Sequence, residues 1–93
     1  MKEITLDFKE FMSMKEAHAY IAGKLDLPDY YGANLDALFE CLTDISEDVK
    51  IKIINCDLTD KDDNSLVNVF WDADYENKNL QVEVERQMIR NED

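Results

Sequence analysis

Val49-Lys50-Ile51-Lys52-Ile53-Ile54-Asn55-Cys56 alternates apolar and charged side chains before it ends in a more apolar run. A period of two predicts a strand with one buried face, with Val49, Ile51 and Ile53 turned inward and Lys50 and Lys52 left in water. The same alternation occurs twice more. Ile4, Leu6 and Phe8 stand against Glu3, Thr5 and Asp7, and Leu80, Val82 and Val84 stand against Gln81, Glu83 and Glu85. Strands are therefore predicted near residues 3–8, 49–55 and 80–86.

The intervening segments have helical spacing. Ser13-Met14-Lys15-Glu16 has capping-box spacing, and Met14, Ala17, Ile21 and Leu25 follow along one face. Gly23 weakens this helix by roughly 1 kcal/mol relative to Ala. Pro28 is expected to stop it, because the residue before a proline avoids the helical region. Residues 27–33 read as a loop. Asn34 is a good N-cap, and Leu35, Leu38, Leu42 and Ile45 then form one stripe of a second helix. A polar, acidic connector over 57–64 leads to a third helix over 66–77, with Leu66, Val69, Phe70 and Ala73 on one side. Helical segments between successive strands are what parallel pairing requires. Clean alternation in all three strands leaves one sheet face wet. The predicted architecture is α/β: two layers, a three-stranded parallel sheet with helices packed on one face.

The 93-residue length suits a single domain, 1–93, with a frayed tail at 88–93. Four Tyr, four Phe and one Trp set the chain apart from disordered acidic chains, which are poor in aromatics. Twenty-two Asp and Glu against ten Lys and Arg give a net charge of −12. Such a charge aids solubility, repels nucleic acid and anionic membranes, and speeds encounter with basic proteins. No apolar run approaches the roughly 20 residues needed to span a bilayer. Met1-Lys2-Glu3-Ile4 leads straight into the first strand, so a cytoplasmic location is expected.

Groups for catalysis are few. The one histidine, His18, lies off the Met14/Ala17/Ile21 stripe, where a surface or boundary position is expected. Cys41 and Cys56 each sit in an apolar stretch, as buried free thiols do, though a disulfide between them stays open. No pair of His or Cys has metal-ligand spacing. Two glycines are too few for a phosphate-binding loop. The acidic connector also fails as a calcium loop. Started at Asp60, it has Ser65 where the motif needs Gly and Trp71 where it needs Glu. The chain reads as a binding protein, not an enzyme, with no cofactor and no metal.

The informative stretch is Leu27-Pro28-Asp29-Tyr30-Tyr31-Gly32-Ala33-Asn34-Leu35-Asp36-Ala37-Leu38-Phe39-Glu40-Cys41-Leu42-Thr43. Two adjacent tyrosines on a loop, one of them expected in solvent, precede Asp36, Glu40 and Asp44 at i, i+4 and i+8. These carboxylates share one helical face, drifting about 40° per step. Like charges at this spacing cost a few tenths of a kcal/mol per pair, so the row does not serve helix stability. An ordinary solvated face would carry acids too. The adjacent aromatics, which anchor protein interfaces, favour a docking surface.

The run Leu-Pro-x-Tyr-Tyr-Gly-x-Asn-Leu-Asp-Ala-Leu resembles the signature of the barstar family, intracellular inhibitors of barnase-type ribonucleases. The element order agrees over nearly the whole chain, and Val69-Phe70-Trp71-Asp72-Ala73 is similar to that family's last helix. The resemblance implies that the second helix and the loop before it plug a basic ribonuclease active site in a 1:1 complex, with no direct contact to nucleic acid or membrane. Glu40 would then take the place of a substrate phosphate, and Asp36 would be a second interface acid. Tyr30 would stack on the enzyme's histidine, beside Tyr31 and Gly32. Asn34 and Leu35 match helix-start contacts, Thr43 a rim contact, Asp72 an acid that pairs with an enzyme arginine, and Val69 a smaller contact. Three departures fall on this surface: Glu40 replaces Asp, Phe39 replaces Trp, and Asp44-Ile45 replaces a Gly-Trp pair. They imply a related ribonuclease with a differently shaped cleft. The alternative is an acidic adaptor that binds another cationic protein through the same face.

Overall fold

The computed structural model describes residues 1–85. In chain order it contains β1 (Lys2–Asp7), α1 (Met14–Leu25), α2 (Leu35–Thr43), β2 (Val49–Ile54), α3 (Lys61–Glu76) and β3 (Leu80–Val84). A single turn of 3₁₀ helix at Phe8–Glu10 follows β1; the alternation pattern alone did not reveal it. The expected tail at 88–93 lies outside the described residues.

The strands form one parallel sheet in the order β1-β2-β3. The alternation expected from sequence appears directly in the burial. Ile4, Leu6, Val49, Ile51, Ile53, Leu80 and Val82 are buried, while Glu3, Thr5, Gln81 and Glu83 are exposed. Register puts Ile4 beside Ile51 and Ile51 beside Val82, so the apolar side chains form rows across the sheet. Against this face pack Ala17 and Ile21 of α1, Leu38 and Leu42 of α2, and Leu66, Val67, Phe70 and Ala73 of α3. The two-layer α/β architecture is the one expected. On the opposite, wet face Lys50 pairs with Glu83 at 3.0 Å, which raises the lysine pKa and lowers that of the glutamate.

Two helix boundaries differ from expectation. α1 ends at Leu25, before Pro28 can act. Asp26 takes a left-handed conformation (φ 54°), and the backbone N–H groups of Asp26 and Leu27 donate to the Ala22 carbonyl. Aspartate tolerates this region better than most residues, so the helix terminates with its own cap. α3 begins five residues earlier than its apolar stripe suggested. Asp60 is its N-cap and accepts from the Asp63 N–H, and Asp62 and Asp63 complement the positive end of the helix dipole. Ser13 caps α1 by accepting the Glu16 N–H, as the capping box predicts.

Candidate functional site

α2 is a short helix held at both ends. At its start the Asn34 side chain accepts the Ala37 N–H at 2.8 Å. At its end the buried Asn77, just past α3, donates through Nδ2 to the carbonyls of Leu42 (2.9 Å) and Ile45 (3.0 Å). Helix ends leave carbonyls without intrahelical partners, and a buried one needs a donor. Asn77 supplies it from the neighbouring helix. Sequence reasoning did not single out Asn77; a polar residue at a helix end beside two more polar residues gives no sign of burial.

The stripe Leu38/Leu42 is fully buried, with Leu35 half-buried beside it. At 100° per residue, Glu40 lies almost diametrically opposite this stripe, flanked by Asp36 and Asp44. All three are exposed. Asp44 ends the helix, its N–H donating to the Glu40 carbonyl, and the half-buried Thr43 donates its hydroxyl to the same oxygen at 3.1 Å. The ion pairs among the described residues, Lys2–Glu47 and Lys50–Glu83, lie elsewhere, so the α2 carboxylates have no cationic partner among those residues. Their negative field is felt by the neighbouring Cys41. Its thiol pKa is pushed up by burial first, then by Asp44 and Glu40. Cys41 is half-buried, Cys56 is buried, and both are free thiols.

The two tyrosines divide the work of the loop. Tyr30 is 85% exposed. Tyr31 is half-buried and packs against the core. Its hydroxyl is hydrogen-bonded to His18 Nδ1 of α1, with ring centroids 5.8 Å apart. His18 is therefore buried, at 5% exposure, where a surface or boundary position was expected. A polar residue off the apolar stripe becomes buried because the following loop folds back over it. Desolvation lowers the His18 pKa, and burial pushes the Tyr31 hydroxyl up to about 12, with a smaller contribution from Cys41.

Gly32 is exposed, and a Cβ there would come within 3.2 Å of Asn34 Nδ2, so glycine leaves the N-cap side chain room. Phe39 and Ile45 are half-buried against the core with part of each side chain in solvent, as is Val69 on α3. Asp72 is exposed on α3, the helix that packs against α2. The structure thus gathers residues 30–45 into one loop-and-helix unit, and Val69 and Asp72 stand on the adjoining helix.

A cavity of about 260 Å³ lies elsewhere, between Phe8–Met14 and the Asp57–Asp63 segment. None of the candidate partner-binding residues lines it. Its acids serve local structure: Asp63 accepts the Asp57 N–H, and Asp60 accepts that of Asp63. No group of His, Cys, Asp and Glu among the described residues could hold a metal ion. No helix among them is long and apolar enough to cross a membrane.

Fold and surface together describe an acidic two-layer α/β domain with a carboxylate-bearing helix beside an exposed tyrosine. Residues 1–86 match the barstar family, described as barstar (barnase inhibitor), and the chain belongs to that family. Its members are inhibitors, not enzymes. Over 43 residues, 46% of the chain, the sequence is 49% identical to the Bacillus subtilis (strain 168) protein named "Putative ribonuclease inhibitor YrdF". The match spans 47% of that relative's length.

Proposed function

We propose that this chain inhibits a basic ribonuclease by seating α2 and the Tyr30–Tyr31 loop in the enzyme's active-site cleft, with Glu40 standing in for a substrate phosphate. The observation that supports this most is the exposure of Glu40 at the centre of an acidic face, directly opposite the buried stripe of a helix held at both ends. A ribonuclease cleft is built for phosphates. A carboxylate held rigidly there accepts short, charge-assisted hydrogen bonds from arginine. Asp36 and Asp72 extend the negative face, Tyr30 supplies an exposed aromatic anchor, and Asn34, Leu35, Thr43 and Val69 form its border. Gly32 and Tyr31 shape the loop. The assembly is 1:1, acts inside the cell that makes the enzyme, and requires no cofactor or nucleic acid.

Glu40 carries one methylene more than the aspartate usual at its position, Phe39 stands in place of tryptophan, and Asp44-Ile45 in place of Gly-Trp. These differences favour a relative of barnase with a differently shaped cleft over barnase itself.

The test is to capture bound proteins from the native organism, secreted ribonucleases included, and to titrate the purified chain into an RNA-cleavage assay with each. A sharp loss of cleavage at one equivalent is expected. A captured cationic partner whose RNA cleavage is untouched, or that has none, would favour the adaptor reading and refute inhibition.

A further inference from the structure

An open sheet has two margins, and each presents a row of backbone N–H groups that a further strand could pair with. In β1 the Lys2 N–H donates toward β2, to the Asp48 carbonyl, so the alternation of the strand turns the N–H groups of Glu3, Thr5 and Asp7 outward. In β3 the Glu85 N–H donates to the Ile53 carbonyl, so those of Leu80, Val82 and Val84 turn outward. Neither row is intact. The Asp7 N–H donates to the Tyr20 hydroxyl of α1 at 2.9 Å, and the Val82 N–H donates to Asp74 Oδ2 of α3 at 2.8 Å. The Leu80 N–H is taken as well, by the Asn77 carbonyl at 3.1 Å. β1 and β3 are the two outer strands, and each has one half-buried polar side chain of a packing helix bound at its margin.

We propose that Tyr20 and Asp74 are edge guards: each occupies an outward strand amide, so that neither margin of the sheet accepts a strand from a second copy of this chain. On β3, Asp74 and the Asn77 carbonyl leave Val84 as the one outward N–H of the strand without a partner among the described residues. On β1, Tyr20 shortens the open row to Glu3 and Thr5. A copy that paired along the full length of either strand would first have to displace the guard, and a displaced hydrogen bond offsets the one gained. Repulsion between two copies, each of net charge −12, opposes pairing too. Salt screens that repulsion, because it acts over distance, while the guards act at contact and remain in place. The inference is independent of what α2 binds.

The experiment is sedimentation equilibrium on the full chain at about 0.1 M and about 1 M salt, where the Debye length falls from about 10 Å to about 3 Å. It compares the parent with Asp74→Ala, Asp74→Asn, Tyr20→Phe and the double variant Tyr20→Phe/Asp74→Ala. Asp74→Ala and Asp74→Asn lose the same charge, but asparagine keeps an oxygen that can accept the Val82 N–H. Tyr20→Phe removes one oxygen and no charge, and its ring stays packed against Phe11. The parent and Asp74→Asn should remain monomeric at both salt concentrations. In high salt Asp74→Ala and Tyr20→Phe should each self-associate at a concentration at least about tenfold below any at which the parent does, the equivalent of about one hydrogen bond. Two-fold pairing uses up the opened margin, so each single variant should stop at a dimer, and the double variant should assemble further. Amide exchange locates the contact: on concentration Val82 should become protected in Asp74→Ala, and Asp7 in Tyr20→Phe. Single variants as monomeric as the parent in high salt, Asp74→Asn associating as strongly as Asp74→Ala, or association that leaves these amides unprotected would overturn the proposal. Tyr20→Phe decides the matter at the β1 margin even where Asp74→Ala fails to fold.

Discussion

Glu40 points away from Leu38 and Leu42, so truncating it removes charge from the surface and nothing from the core. Glu40→Ala should leave the free energy of unfolding within about 0.5 kcal/mol of the parent. In the ribonuclease complex it should leave arginines without their partner, and hydrogen bonds to charged groups are worth about 1.5–3 kcal/mol each. Affinity measured by inhibition titration should therefore fall by roughly ten- to more than a hundredfold, and by more than for Asp36→Ala, Asp44→Ala or Asp72→Ala. Unchanged affinity would make Glu40 a rim charge. Glu40→Asp refines the test: if the longer side chain is matched to its own partner, shortening it weakens that complex without harming any weak binding to barnase. His18 makes a separate prediction at the same scale. Its folded pKa lies below the usual 6.5, so between the two values the unfolded chain binds the proton more readily. Its contribution to stability is complete above about 6.5 and declines as the pH falls toward the folded pKa. Urea unfolding between pH 7.5 and 5 should show this decline. Because the chain has one histidine, His18→Asn should flatten it.

Asn77 fixes the end of α2 from outside the helix, in addition to the packing of Leu38 and Leu42. The asparagine gives both amide hydrogens to carbonyls at the end of α2 and accepts the Asn79 N–H through Oδ1, so every polar atom of its side chain is used. Asn77→Ala removes two hydrogen bonds and leaves the Leu42 and Ile45 carbonyls with longer ones, from the Ile45 N–H at 3.3 Å and from Asn79 Nδ2 at 3.5 Å, at a cost of about 1–3 kcal/mol in urea unfolding. It should also loosen the helix end that carries Asp44 and Ile45. A loss below about 0.5 kcal/mol would mean that water replaces the amide. Leu38→Ala offers the contrast. It removes a fully buried side chain and should cost about 2–5 kcal/mol, lowering inhibition only as far as the folded population falls. The two variants separate helix orientation from core packing. Helix starts were legible where a side chain caps its own turn, as at Ser13 and Asn34. The start of α3 was obscured because a run of acids looks like a solvated connector whether or not it caps a helix.

Across the whole molecule, a net charge of −12 produces a long-range field, and the face that carries Asp36, Glu40 and Asp44 has no basic residue on its helix. Association with a cationic cleft should slow steeply as salt rises, because the Debye length is about 10 Å at 0.1 M and about 3 Å at 1 M. Stopped-flow association rates against ionic strength measure this directly. A rate indifferent to salt would point to an apolar contact dominated by Tyr30 and Phe39. Dissociation should respond less, since contacts already buried are screened less.

The strands, their parallel pairing and the single buried face were determined by the sequence alone, because a period-two pattern states which side of a strand is apolar, and long helical connections exclude hairpins. The acidic face of α2 was determined in the same way: 100° per residue places Asp36, Glu40 and Asp44 together once Leu38 and Leu42 are taken as core. Tertiary structure alone decided that His18 is buried, that Tyr31 turns inward to meet it, and that Asn77 closes the end of α2. The physical reason is common to the three. Each depends on polar atoms meeting across 13 to 35 residues of chain, and a polar side chain carries no periodicity that announces its partner before the core brings the two together.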